Sequence, residues 1–228
     1  MANSTLLQIL SSREDISDYL FHFTKGINAY DTLIQILGDS KLIDVNKKGY
    51  ICFTEAPLTA LYNMFQIFER FENPMYAPYG IGFKKNTLYN VGCRPVIYGT
   101  NKDFGYIHKE LYWRCVEYIP EIKDYSWLRE WRLPQKCFTF NPDDVIVFTK
   151  TIGEAHILME ITEDPFDFDG DVDDGEFHGY VTAELRKQYK TISMEDIRSV
   201  CMLDKEELNT LILSQNIGVT ETINLGNF

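Results

Sequence analysis

Three short segments hold residues whose types and spacing suit chemistry. The first is Phe21-His22-Phe23-Thr24. On a strand, side chains alternate between faces, so His22 and Thr24 point together, away from Phe21 and Phe23. The second is Ile51-Cys52-Phe53-Thr54-Glu55-Ala56-Pro57, a strand running into a helix. A hydroxyl at such a strand end lies near helix amide donors, where anionic ligands bind, and Thr54 serves equally well as a helix cap. The third is Trp127-Leu128-Arg129-Glu130-Trp131-Arg132-Leu133-Pro134. A carboxylate set between arginines and tryptophans can be kept charged in a partly dry site, which charge-stabilising catalysis requires. Alternatively, His22 is a satisfied core or surface histidine, and Glu130 forms an arginine pair over a packed tryptophan.

Other chemistries are excluded. There is no G-x-x-x-x-G-K-[ST] and no G-x-G-x-x-G; Gly80-Ile81-Gly82 lacks the third glycine and lies in a strand pattern. The four histidines include no close pair, and the five cysteines form no C-x-x-C, which argues against a metal site and a disulfide framework and for a reducing cytoplasm. The alternating Asp167, Asp169, Asp171 and Asp173 suggest a calcium loop, but Val172 stands where such a loop needs Gly and His178 where it needs Glu. No run approaches the roughly 18 apolar residues of a membrane span, and the first twelve residues lack the basic flank of a signal peptide.

The elements that must position these groups alternate between short strands and short helices. A helix is expected over Arg13–Tyr19, then a strand over Leu20–Thr24, and a helix over Tyr30–Leu37 capped by Gly38. Tyr50–Thr54 reads as a strand, followed by a helix opened by Pro57 with Leu58, Leu61, Tyr62, Phe65 and Phe68 on one face. Tyr79–Lys84, Pro95–Tyr98, Trp131–Leu133 and Val145–Phe148 are further strands, and Lys109–Tyr118 a helix. Beyond the body come a helix Ala183–Tyr189, a strand Ile197–Leu203, a helix Lys205–Leu213 and a strand Val219–Leu225. This ending is too small to stand alone, so the 228 residues read as a single α+β domain.

Charge divides the chain. Residues 1–159 carry 17 Lys and Arg against 18 Asp and Glu, whereas residues 160–228 carry 5 against 16. Nine of these acids fall between Glu160 and Glu176, and Asp164–Gly179 reads as an exposed acidic loop inserted in the domain. Non-specific nucleic-acid binding by the whole surface is disfavoured, while a local cationic cleft is compatible with the neutral body. The acidic segment suits docking of a basic partner protein.

The series FHFT, ICFTEAPL, YAPYGIGFKKNTL with RPVIY, then REWRLP resembles the AbiGi-type abortive phage-resistance proteins. More distantly it is similar to DarT-type ADP-ribosyltransferases, which open on an HFT strand and carry a catalytic Glu entering a late strand. The resemblance covers about Leu20 to Pro134. It implies a split mixed β-sheet with short helices around a central cleft that binds NAD as co-substrate, with ADP-ribose passing to a nucleic-acid or protein acceptor. It implies that His22 bonds the adenosine-side ribose with support from Thr24, and that Thr54 is the second-strand hydroxyl. Glu130 is then the catalytic glutamate, and Tyr76 and Tyr79 belong to the aromatic segment around nicotinamide or the acceptor. No residue matches the assisting DarT arginine; Arg132, Arg129 and Arg94 are candidates by chemistry, and Arg132 is taken with Glu130 as the catalytic pair. AbiGi-type proteins are also described as antitoxins, so a non-catalytic antitoxin or accessory subunit, or a phage-encoded counter-defence protein, is the alternative.

Overall fold

The computed structural model describes residues 17–159, 163–164, 168–173, 176–181, 184–185 and 189–201. The expected helix Lys205–Leu213 and strand Val219–Leu225 lie outside them, as does most of Arg13–Tyr19, whose last residue is in a strand. The elements in chain order are β1 (Tyr19–Phe23), α1 (Ala29–Asp39), β2 (Lys41–Ile43), β3 (Ile51–Thr54), α2 (Leu58–Phe68), β4 (Gly80–Lys84) and α3 (Lys85–Asn90). They continue as β5 (Arg94–Pro95), β6 (Ile97–Gly99), α4 (Asn101–Phe104), β7 (Cys115–Glu117), β8 (Glu130–Leu133), β9 (Cys137–Thr139), β10 (Val145–Thr149) and α5 (Ile152–Met159). The last are β11 (Glu163–Asp164), β12 (Phe168–Asp173), β13 (Glu176–Val181), β14 (Glu184–Leu185), β15 (Lys190–Ser193) and α6 (Met194–Cys201).

The α+β reading holds, and the sheet is mixed. Its seven strands run β15-β10-β4-β1-β3-β8-β5, antiparallel except for the parallel β10–β15 pair. β1 pairs with β4 over its whole length, from Tyr19 opposite Lys84 to Phe23 opposite Gly80. Its register with β3 is a single pair, Phe21 opposite Thr54. The sheet is thus two ladders joined at one point.

Both faces of the β1 side are packed. Leu20, Ile81, Phe83, Val145 and Val147 join Leu33 and Leu37 of α1 in one core. Phe21, Phe23 and Phe148 join Leu61 and Phe65 of α2 and Ile197 of α6 in the other. The aromatic layer depends on Gly80 and Gly82: a Cβ on either would fall within 2.7 Å of the Phe23 or Phe21 ring. The Gly-Ile-Gly run is there to let phenylalanines lie on the sheet.

Several local expectations change. α1 buries Ala29, Leu33 and Leu37 at helical spacing but runs past Gly38 to a left-handed Ser40 (φ 49°). Lys109–Arg114 is a 3₁₀ turn followed by β7, not one long helix. Ile197–Leu203 is not a strand: Met194–Cys201 is helical, because Ser193 and Asp196 form reciprocal end-capping bonds (Ser193 Oγ to Asp196 Oδ2 2.7 Å, Asp196 N to Ser193 Oγ 3.0 Å). Within Ala183–Tyr189, read as a helix, Glu184–Leu185 is a strand paired with β11. Asp164–Gly179, read as a loop, contributes β12 and most of β13, which pair from Phe168 opposite Val181 to Asp173 opposite Glu176. Its Phe168-Asp-Gly-Asp-Val172-Asp alternation has the two-residue period of a strand. Among the described residues no helix is long and apolar enough to cross a membrane, no acid, Cys and His cluster could hold a metal, and Cys52, Cys93, Cys115 and Cys137 are free thiols.

Candidate functional site

Register decides which side chains meet. Thr54 lies opposite Glu130, Cys52 opposite Arg132, and Arg94 opposite Arg132, so these five share one face of the β3-β8-β5 ladder. Because Phe21 lies opposite Thr54, the same face of β1 carries Phe21 and Phe23, and His22 falls on the other. His22 and Thr54, which the resemblance assigns to one NAD-binding cleft, therefore point to opposite faces of the sheet.

Glu130 is the centre of the polar face. Its Oε1 accepts from Arg132 Nε at 2.8 Å, and the two side chains are only 14 and 11 % exposed. Arg132 is itself anchored. Its Nη1 donates to the carbonyls of Trp113 (2.7 Å) and Cys115 (3.2 Å), and its guanidinium lies 4.3 Å over the Tyr50 ring. It orients Glu130 through Nε and is anchored to the backbone through Nη1. Arg94 is likewise committed, to the carbonyls of Tyr89 and Cys93 at 2.7 Å each and to the Tyr89 ring.

Neutral thiol and phenol groups lie within the field of the carboxylate. The Cys52 thiol is pushed up to about 12, first by the protein packed around it, then by the charge of Glu130 and a hydrogen bond to it. Cys52 is solvent-exposed. Burial, then the Glu130 charge, pushes the Tyr76 hydroxyl to about 12. Burial also raises Tyr98, whose hydroxyl donates to the Tyr125 carbonyl at 3.0 Å. A carboxylate beside a thiol that stays protonated can accept from a sugar hydroxyl and act as a counter-charge for a developing cation.

Thr54 serves the site through the backbone. It is 6 % exposed; its Oγ1 donates to the Leu128 carbonyl and accepts from Ala56 N at 3.1 Å. Arg129, between Leu128 and Glu130, is left-handed (φ 46°), and its carbonyl accepts from Glu55 N at 3.2 Å. The hydroxyl expected to touch a cofactor thus fixes the turn that launches Glu130. Thr24 is equally occupied: it is buried, and its hydroxyl reaches the carbonyls of Ala29 (2.9 Å) and Tyr79 (3.0 Å). Tyr79 donates to Glu154 of α5 at 2.9 Å and meets Tyr30 edge-on, so Tyr76, and not Tyr79, is the tyrosine that senses Glu130.

His22 stands at the split. Its Nδ1 lies 2.8 Å from the Cys52 carbonyl, which can only accept, so Nδ1 carries the proton and Nε2 is the acceptor of the neutral ring. Burial lowers its pKa, and the ring meets Phe53 edge-on at 5.9 Å. Thr24 spends both backbone groups on the β4 side, through Thr24 N to the Tyr79 carbonyl and Ala77 N to the Thr24 carbonyl. By antiparallel alternation, Phe23 N–H and C=O point the other way, into the split. His22 on β1 and Glu130 on β8 thus lie on either side of β3 and on opposite faces of the sheet. Sequence reasoning missed Cys52 and Tyr98; two-residue spacing from Thr54 was the available signal for Cys52. No family model, curated protein or solved structure matches the chain.

Proposed function

We propose that the chain is an ADP-ribosyltransferase-like protein of phage defence that acts in the cytoplasm, transferring ADP-ribose from NAD to a nucleic-acid or protein acceptor. The reading rests on one observation above all: a sheet joined by a single residue pair, with Glu130 set among protonated Cys52, Tyr76 and Tyr98 beside the junction. Breaking the bond between nicotinamide and ribose leaves positive character on the ribose carbon, and the Glu130 carboxylate would offset it. The Phe23 amide and carbonyl offer the donor and acceptor that a carboxamide needs. Neutral His22 Nε2 would accept from a ribose hydroxyl. Arg132 acts as a positioning residue for Glu130, and Thr54 as a positioning residue for its turn.

The test is Glu130→Gln, assayed for NAD hydrolysis and transfer, with NAD binding followed by calorimetry. Turnover should fall about 10²–10³-fold while binding is kept. Unchanged turnover would remove Glu130 from the chemistry. A second reading, a non-catalytic antitoxin, accessory or counter-defence protein, is favoured by the acids gathered in residues 160–228, which suit a basic partner protein. That reading takes the lead if wild-type protein neither binds nor cleaves NAD.

A further inference from the structure

A cavity of about 510 Å³ opens beside β7, lined by Asn101, Phe104, Gly105, Tyr112, Cys115 and Glu117. Its parts are fixed in advance. Helix α4 is closed by a capping box between Thr100 and Asp103, and Gly99 leaves room for the Phe104 ring, where a Cβ would come within 3.1 Å. The Glu117 carboxylate is held from two sides: Asn101 Nδ2 donates to Oε1 at 3.1 Å, and Lys123 Nζ pairs with Oε2. The Lys123 ammonium balances the charge, so the polar end offers acceptor oxygens without net charge. Phe104 and Tyr112 supply aromatic faces at the other end.

Such a cavity selects a flat, uncharged ring that carries N–H donors on its edge. We propose that it binds a nucleobase bearing an exocyclic amine, the amine donating to Glu117 and the ring packing against Phe104 and Tyr112. The cavity is also wired to Glu130. Cys115 lines it, and the Cys115 carbonyl, with that of Trp113, holds the Arg132 guanidinium that orients Glu130. The proposal deepens the transferase reading by giving its acceptor a chemical class, and it can be read by binding alone, without turnover.

The experiment titrates the full-length chain with two matched pairs of nucleosides, cytidine against uridine and adenosine against inosine, by ligand-observed NMR. Each pair differs by an exocyclic amine against a carbonyl. The amino member should bind at least about tenfold more tightly, a discrimination of about 1.4 kcal/mol. Glu117→Gln and Tyr112→Leu should each weaken cytidine and adenosine by about tenfold or more; Tyr112 is 47 % exposed, so its replacement leaves the fold intact. Equal binding within the pairs, indifference to both variants, or no binding at about 10 mM overturns the proposal. The NAD-binding and Glu130→Gln measurements are separate, so the transferase reading can fail or stand independently of this one.

Discussion

The two ladders on either side of the β1–β3 junction use the same strand geometry for opposite ends. In β15-β10-β4-β1 both faces are apolar: Leu20, Phe21, Ile81, Phe83, Val145, Val147 and Phe148 are each at most 4 % exposed. In β3-β8-β5 one face is the same kind of core, with Ile51, Phe53 and Leu133, whereas the other carries Cys52, Thr54, Glu130 and Arg132. Glu130 and Arg132 can be so little exposed only because each charge has a partner, and Arg132 makes four contacts. One ladder holds the fold; the other holds a carboxylate.

The sharpest contrast should come from the apolar side. Phe65 is fully buried, with Phe23 5.0 Å and Phe148 5.8 Å away between ring centres. Phe65→Ala should cost about 3–5 kcal/mol in urea unfolding. It should leave NAD affinity unchanged under conditions where the chain stays folded. A loss of affinity in folded protein would show that the two ladders are not functionally separate.

On the polar side, removing the cation should hurt more than neutralising the anion. Arg132→Met strands the Glu130 carboxylate and two carbonyls together and should cost about 3 kcal/mol. Glu130→Gln keeps an acceptor for Arg132 and should cost less than about 1 kcal/mol. The reverse order, measured by urea unfolding, would mean that Glu130 is the structural member of the pair.

A smaller effect is expected at Thr54. Thr54→Val keeps the shape but removes the hydroxyl from the Leu128 carbonyl and Ala56 amide, at about 1–2 kcal/mol. Thr54→Ser should restore most of it. If Thr54 acts by setting the Arg129 turn, Val should lower kcat more than it raises KM for NAD, and Ser should recover kcat. A change confined to KM would favour direct contact with the ligand.

Much of this was legible in the sequence, because local signals and tertiary outcome agreed. Strand alternation marked β1, β3, β4 and β10, helix spacing marked α1 and α2, and the Glu-Trp-Arg segment drew attention to Glu130 and Arg132. What was lost depended on register. Nothing in FHFT or ICFT says that Phe21, and not His22, will sit opposite Thr54, yet that single offset sends His22 and Thr54 to opposite faces. Nor does a hydroxyl's sequence position reveal that carbonyls from residues 128, 29 and 79 will claim Thr54 and Thr24. Two misses had signals that composition hid. Ser193-x-x-Asp196 is a helix-start pattern just ahead of the segment read as a strand, and Asp174-Gly175 separates two alternating runs in the sequence.

The mildest perturbation that separates the ladders is pH, acting at His22. Its pKa is lowered by burial, against the Cys52 carbonyl bond, which favours the proton, and with the nearby Lys25 charge, which repels it. A histidine held below its unfolded value of 6.5 takes up its proton more readily in the unfolded chain. Its contribution to stability is therefore fully present above pH 6.5 and is lost as pH falls from there through the folded pKa. One proton sets the ceiling on the slope, about 1.4 kcal/mol per pH unit. The carboxylates of the chain also titrate at the acid end, so the informative quantity is a difference between two proteins. His22→Asn keeps a donor for the Cys52 carbonyl and cannot titrate; its urea stability should run closer to level between pH 7 and 5.5 than that of the wild type. Parallel curves would show that His22 is solvated at the split and not desolvated within it. NAD binding should weaken over the same interval in the wild type and not in the variant, because protonation turns Nε2 from acceptor to donor. If both weaken alike, the ribose contact assigned to His22 is wrong while the packing role stands.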